Sequence, residues 1–171
     1  MNQSPKLIAE TNKQEHLLKL CIKEGNLENI SHLHQAGYIQ ITDPSIEIIL
    51  KDVLYYGQLQ IFSYFHQNGV DINGRFSQEG LPEAVIEDHS EVLKYFHQNG
   101  AIFSKDLIEK LALLCGKHGS VKSLEYLCQN GLFVLEEGQA WELLMEAARH
   151  ENFNILSYVQ QNGVDINGRF S

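Results

Sequence analysis

Five glycines, Gly37, Gly69, Gly100, Gly131 and Gly163, follow one another at intervals of 32, 31, 31 and 32 residues. The phrase Tyr64-Phe65-His66-Gln67-Asn68-Gly69 returns as Tyr95-Phe96-His97-Gln98-Asn99-Gly100, as Tyr126-Leu127-Cys128-Gln129-Asn130-Gly131 and as Tyr158-Val159-Gln160-Gln161-Asn162-Gly163. A weaker first copy is His32-Leu33-His34-Gln35-Ala36-Gly37. Such a period confines the chain to folds in which similar units bury one continuous core by stacking on their neighbours.

Each copy has the same internal pattern. Ahead of the glycine, apolar residues stand three and four apart: Ile61, Phe62, Phe65; Val92, Leu93, Phe96; Leu124, Leu127; Ile155, Leu156, Val159. This is one face of a helix. The glycine follows its last turn, where a positive φ is wanted. Twelve residues before each of these glycines lies a second break, at Gly25, Gly57, Asp88, Gly119 and Glu151. Asn26, Ser120 and Asn152 follow such breaks, with Ser90 near the third, and are helix-capping types. Upstream lies another apolar segment, such as Leu17–Ile22, Ile48–Leu54, Leu111–Cys115 and Leu143–Ala148. The unit therefore reads as helix, tight turn, helix, glycine and loop.

After the glycine come Gly69-Val70-Asp71-Ile72-Asn73-Gly74 and Gly163-Val164-Asp165-Ile166-Asn167-Gly168. These resemble the Gly-Ala-Asp-Val-Asn-Ala segment that opens the β-turn finger of ankyrin repeats. The resemblance spans roughly residues 13 to 171. It implies an all-α ankyrin-repeat solenoid of about five helix–turn–helix repeats of 31–32 residues with short finger loops, in one domain over 1–171. Approximate repeat bounds are 13–43, 44–75, 76–106, 107–137 and 138–171. The family's Thr-Pro-Leu-His is missing; its place is taken by segments such as Glu79-Gly80-Leu81-Pro82 and Glu142-Leu143-Leu144-Met145. The repeats are therefore degenerate. The eleven residues Gln67 to Ser77 reappear unchanged as Gln161 to Ser171, which reads as internal duplication. At that end Ile155, Leu156 and Val159 are expected to lack a covering neighbour, leaving a sticky face.

A formal charge of −9, from 13 Lys and Arg against 22 Asp and Glu, argues against a surface that grips nucleic acid or anionic lipid. It suits a basic or mixed-charge protein partner. Cys21, Cys115 and Cys128 are odd in number and follow no ligand spacing, which reads as reduced thiols. No apolar run has the length of a signal peptide or a membrane span. A cytoplasmic protein is the simplest expectation, and secretion by a route without a cleavable signal stays open.

Three patterns invite chemistry. His34, His66, His97, Cys128 and Gln160 share one position in successive units, but stacked helices sit ~8–10 Å apart and zinc ligands must converge to about 2.0–2.3 Å. The column reads as a structural ladder. Cys115 and His118 stand three apart, yet Cys115 shares the small inner slot of Cys21, Ala84 and Ala147 and has no third orienting group. Asp88-His89 reads as a solvated turn. The Tyr64, Tyr95, Tyr126 and Tyr158 column reads as packing between units. No catalytic residue, cofactor or metal site is expected.

The expected role is a protein–protein interaction module of adaptor, inhibitor or effector type, in which the resemblance implies a concave groove lined by first helices and finger loops. Aromatic and Arg residues concentrate interface energy, which singles out Tyr55, Tyr56, Arg75, Phe76, Trp141 and Arg149. The alternatives are a structural, self-associating solenoid, or the non-catalytic substrate-receptor part of an enzyme system. The chain is expected to be a monomer or to self-associate weakly through its last repeat.

Overall fold

The computed structural model describes residues 16–135 and 137–164, without the side chains of Glu137 and Gln139. The second copy of the duplicated segment, from 165 onward, lies outside the described residues. Within them all regular structure is helical. Residues 16–23 belong to α1. There follow α2 (Leu27–Gln35), α3 (Ile46–Tyr55), α4 (Leu59–Gln67), α5 (Arg75–Ile86), α6 (Ser90–Gln98), α7 (Lys105–His118), α8 (Val121–Gln129), α9 (Glu137–Arg149) and α10 (Phe153–Gln161).

These helices are too short to be stable alone and depend on their neighbours. α3 packs on α5, α5 on α7 and α7 on α9, while α2, α4, α6, α8 and α10 contact one another in the same succession. Within each unit the two helices also touch. The core fills the space between the two rows: Leu50, Val53, Leu81, Ala84, Leu111, Cys115, Leu143 and Ala147 from the first row meet Phe62, Phe65, Leu93, Phe96, Leu124, Leu127 and Val159 from the second. Phe62 is its aromatic centre, with its ring stacked on Phe96 at 4.7 Å and set edge-on to Tyr95 at 5.7 Å. The face expected to be bare at the last unit is not. Ile155 and Val159 are fully buried, because α10 turns that stripe onto α9 and α8. Phe153, 69% exposed, is the apolar side chain left outside.

Both predicted breaks are real in every unit. All ten positions, Gly25, Gly37, Gly57, Gly69, Asp88, Gly100, Gly119, Gly131, Glu151 and Gly163, have positive φ. At the inter-helix turns the glycine is favoured by φ, and the next unit stands close over it. A Cβ on Gly25 would fall 2.5 Å from the Gln58 amide oxygen, on Gly57 2.6 Å from the His89 ring, and on Gly119 2.9 Å from the Asn152 amide. In each case the cover comes from the residue after the break in the next unit. Ser120 is the small member of that covering column, and opposite it stands Asp88, with φ 56°. A side chain at position 88 thus fits where the next unit leaves room.

The covering residues also fasten the units together. Gln58 Nε2 donates to the Lys23 carbonyl at 3.0 Å, and Asn152 Nδ2 donates to the carbonyls of Gly116 and Lys117 at 2.7 and 2.8 Å. They satisfy C-terminal carbonyls of the preceding unit's first helix. Of the expected caps only Asn26 serves its own helix, accepting from the Asn29 amide. Ser120 makes no side-chain cap to α8. Its work is done by Asp88, whose carboxylate accepts from the amides of Lys122 at 3.3 Å and Ser123 at 2.8 Å. Asp88 is therefore a cap supplied by the neighbouring unit, not the solvated turn the sequence suggests.

On the second row the His and Tyr columns prove to be each other's partners. His34 Nδ1 lies 2.8 Å from the Tyr64 hydroxyl, His66 Nδ1 2.9 Å from that of Tyr95, and His97 Nδ1 3.0 Å from that of Tyr126. Where the column changes to Cys128, the Tyr158 hydroxyl hydrogen-bonds the thiol. Burial, with the neighbouring thiol and Glu125 adding to it, pushes the Tyr158 phenol up from 10.0 to about 12.

Two tests follow from these contacts. Asp88→Ala is expected to lower stability by roughly 1–2 kcal/mol, the range for loss of a helix cap, while Asp88→Asn, which keeps an acceptor and tolerates the left-handed turn, loses less; urea denaturation with matched slopes checks the order. The raised Tyr158 value means the neutral phenol is favoured in the fold. Its contribution is complete below the unfolded-state value of about 10 and disappears as pH climbs through about 12. Tyr158→Phe should therefore flatten part of the alkaline stability loss between those limits, measured as unfolding midpoint against pH.

Candidate protein-binding face

The outward side of α3, α5, α7 and α9 carries most of the residues singled out from sequence. Tyr55 ends α3 and Tyr56 caps it, with their rings edge-to-face at 5.0 Å. They are 38% and 37% exposed. The Tyr55 hydroxyl hydrogen-bonds Glu87 at the end of α5, and that carboxylate's charge is the main reason its phenol is pushed up. The pair thus stands at the C-terminal end of the row, braced by the next helix.

Arg75 sits at the opposite end, in the first turn of α5, and is not brought together with the tyrosines. It lies 3.6 Å from Glu79. Glu79 also pairs with Lys51 of α3, and the hydrogen bond and charge of Lys51 hold its carboxyl below the ordinary value.

Phe76 requires correction. It is neither in a finger loop nor on the surface: the loop ends at Gly74, α5 begins at Arg75, and Phe76 is 3% exposed. Its ring lies 5.9 Å from Phe62 and 6.4 Å from Phe96. The cause is local. Asp71 accepts from the Asn73 amide and closes a short turn, Asn73 accepts from the Ile102 amide of the next loop, and the helix starts early enough to aim Phe76 inward.

Trp141 and Arg149 do share a site. With Glu142, Met145 and Glu146 they line one wall of a groove of about 810 Å³, whose other wall is formed by Asp106, Glu109, Lys110, Leu113, Leu114 and Lys117 of α7. Trp141 is 45% and Met145 37% exposed. Arg149 Nη1 donates to Glu146 Oε1 at 2.5 Å, and His150 Nε2 approaches the other oxygen of Glu146 at 3.7 Å. The apolar floor of this groove was missed in the sequence. Its signal was present: in the run Leu111-Ala112-Leu113-Leu114-Cys115, a helix can turn only part of the residues inward, and Leu113 and Leu114 are the half-buried ones.

The patterns that invite chemistry lie elsewhere. Cys115 is fully buried, and burial pushes its thiol well above the ordinary value, with the charge of Asp88 adding to it. A cysteine nucleophile needs the opposite shift. His118 is exposed at the end of the same helix. Among the described residues no group of three or more His, Cys, Asp and Glu side chains is placed to hold a metal ion. No helix among them is long and apolar enough to cross a membrane.

Separating surface from core gives a direct check. Phe76→Ala should cost about 3–5 kcal/mol, as for other buried aromatics. Tyr56→Ala, at a partly exposed helix end, should change stability by under about 1 kcal/mol. Chemical denaturation of the two variants side by side measures both.

Set against protein-family models, curated proteins and solved structures, the chain matches none of them.

Proposed function

We propose that this chain is a degenerate ankyrin-type repeat module that binds a protein partner through the face made by its first helices and the loops that follow each unit. The observation that carries this reading is where apolar side chains are left in water. Leu17, Leu20, Ile48, Tyr55, Tyr56, Trp141 and Met145 lie on α1, α3 with its cap, and α9, and Tyr38, Ile102 and Val134 lie in the loops between units. The second-helix row contributes Phe153 to the same exposed set. Large exposed apolar and aromatic side chains gathered on one side mark interaction surfaces. The repeat pattern explains why they gather there, since the second helices spend their polar groups on one another through the His–Tyr pairs. The role is binding rather than catalysis, and it asks for no cofactor.

Within this reading Tyr55, Tyr56, Trp141 and Arg149 are the anchors, and Arg75 lies at the rim. A Tyr55→Ala/Tyr56→Ala/Trp141→Ala variant that keeps its helical circular dichroism should lose partner affinity by at least about 2 kcal/mol, the size of a single hot-spot loss. Phe153→Ala should bind as the parent does. Affinity that survives the triple change and falls with Phe153→Ala would move the site to α10. The exposed Phe153 favours one competing role, self-association through α10. A mass by light scattering that grows with concentration in the parent, but not in Phe153→Ala, would support it.

A further inference from the structure

The groove between α7 and α9 has an electrostatic direction as well as an apolar floor. The two helices run parallel: Glu109 meets Gly138 and Glu142 around one cavity, while Gly116 lies against Leu143 and Glu146 further along. At the N-terminal end stands Asp106 and midway along α9 stands Glu142, both exposed and without an ion-pair partner among the described residues, while the exposed Lys110, whose charge also reaches Glu79 of α5, lines the groove one turn after Asp106. Glu109 beside them lies 3.6 Å from Lys105. At the C-terminal end stands Lys117, likewise exposed and unpaired among the described residues, next to an Arg149 already held by Glu146. Between the ends lie Leu113, Leu114, Trp141 and Met145. Asp106 and Lys117 are eleven residues apart on one helix, which at 1.5 Å per residue is about 16 Å.

We infer that this groove takes an amphipathic helix of a protein partner, with an apolar stripe flanked by a basic residue at one end and an acidic residue at the other. The inference rests on the binding role proposed above and names the partner's chemistry. The basic end meets Asp106, the acidic end meets Lys117, and the stripe covers Trp141 and Met145 beside Glu142. A helix is the form that fits, because it lays an apolar face into a groove between helices. An extended peptide draws its affinity from backbone pairing at a sheet edge, and the described residues offer no strand. The chain's surplus of carboxylates adds a general pull on the basic end. The charged ends act as specificity elements, because exposed ion pairs contribute modestly and mismatched ones repel.

Trp141 is the single tryptophan of the chain, so its emission reports the groove directly. Three synthetic helical peptides with an identical Leu stripe, and end charges about eleven residues apart, would be titrated into the 171-residue chain. Their ends are Lys and Glu, Lys and Lys, or Glu and Glu. The mixed peptide should bind tightest, by about three- to fivefold over the others, and shift Trp141 emission to the blue. In a Lys117→Glu variant with unchanged circular dichroism, the preference should pass to the Lys/Lys peptide. Equal binding of all three, no change in Trp141 emission, or an unchanged order in Lys117→Glu would overturn the inference. If the peptides fail while Tyr55, Tyr56 and Trp141 substitutions still abolish binding of a protein partner, the module stands and only this partner class falls. Peptide binding beside a partner indifferent to those substitutions would place the failure in the proposed function.

Discussion

The fold depends on a sharp left-handed turn between the two helices of each unit and on what the next unit places over it. Reversing direction there needs one residue at positive φ, which costs an L-residue roughly 1–2 kcal/mol and glycine almost nothing. The covering residue of the following unit adds to the preference: the side chains of Gln58, His89 and Asn152 would have to shift to admit a Cβ on Gly25, Gly57 or Gly119. Turn and neighbour are therefore one constraint. The exceptions support this. Asp88 faces the small Ser120, and Glu151 belongs to the last described unit, where no covering residue follows among those described. A residue that has room to exist at the turn also finds work there, as the Asp88 carboxylate does at the start of α8.

That constraint fixes the spacing at which everything else repeats. With unit placed on unit, the imidazole at one position arrives beside the phenol of the next unit 29 or 30 residues later. Each pair satisfies two half-buried polar groups that would otherwise have to keep water in a packed row. The pairing also tolerates substitution at the weak end of the series, since a thiol partners Tyr158 where an imidazole partners the other tyrosines. A column of histidines that looks like a ligand set is held open by this chemistry, because each ring faces a tyrosine of its neighbour and not another histidine.

Much of this was legible in the sequence, and the illegible part has a common cause. Glycine intervals and apolar spacing located the helices and every left-handed break, since those are local demands on one residue. The His and Tyr columns were each visible, but not their pairing, because a side chain's partner in the next unit depends on the rise between units. The same gap explains Asp88, whose partner lies on α8, and Ile155, whose cover is α9 and α8. Phe76 failed for a different reason. The resemblance to a finger placed it in a loop, while the Asp71–Asn73 turn ends that loop early and rotates Phe76 into contact with Phe62. Of the candidate surface residues, Tyr55, Tyr56, Arg75, Trp141 and Arg149 keep the exposure that a binding role needs, because helix ends and outward turns are set by periodicity alone.

The two rows of helices consequently meet solvent on different terms. The second row commits two columns of polar groups, through His–Tyr pairs and through the Asn68, Asn99, Asn130 and Asn162 amides, each of which donates to the tyrosine carbonyl four residues earlier. On the first row, Trp141 and Met145 stand half out of water, and the charged side chains of Asp106, Glu142 and Lys117 have no ion-pair partner among the described residues. Covering those side chains releases water. On the proposed reading, the first row is therefore the side that association would cover. The repeat makes it continuous: whatever binds across α7 and α9 can extend over α5 to the tyrosine pair on α3.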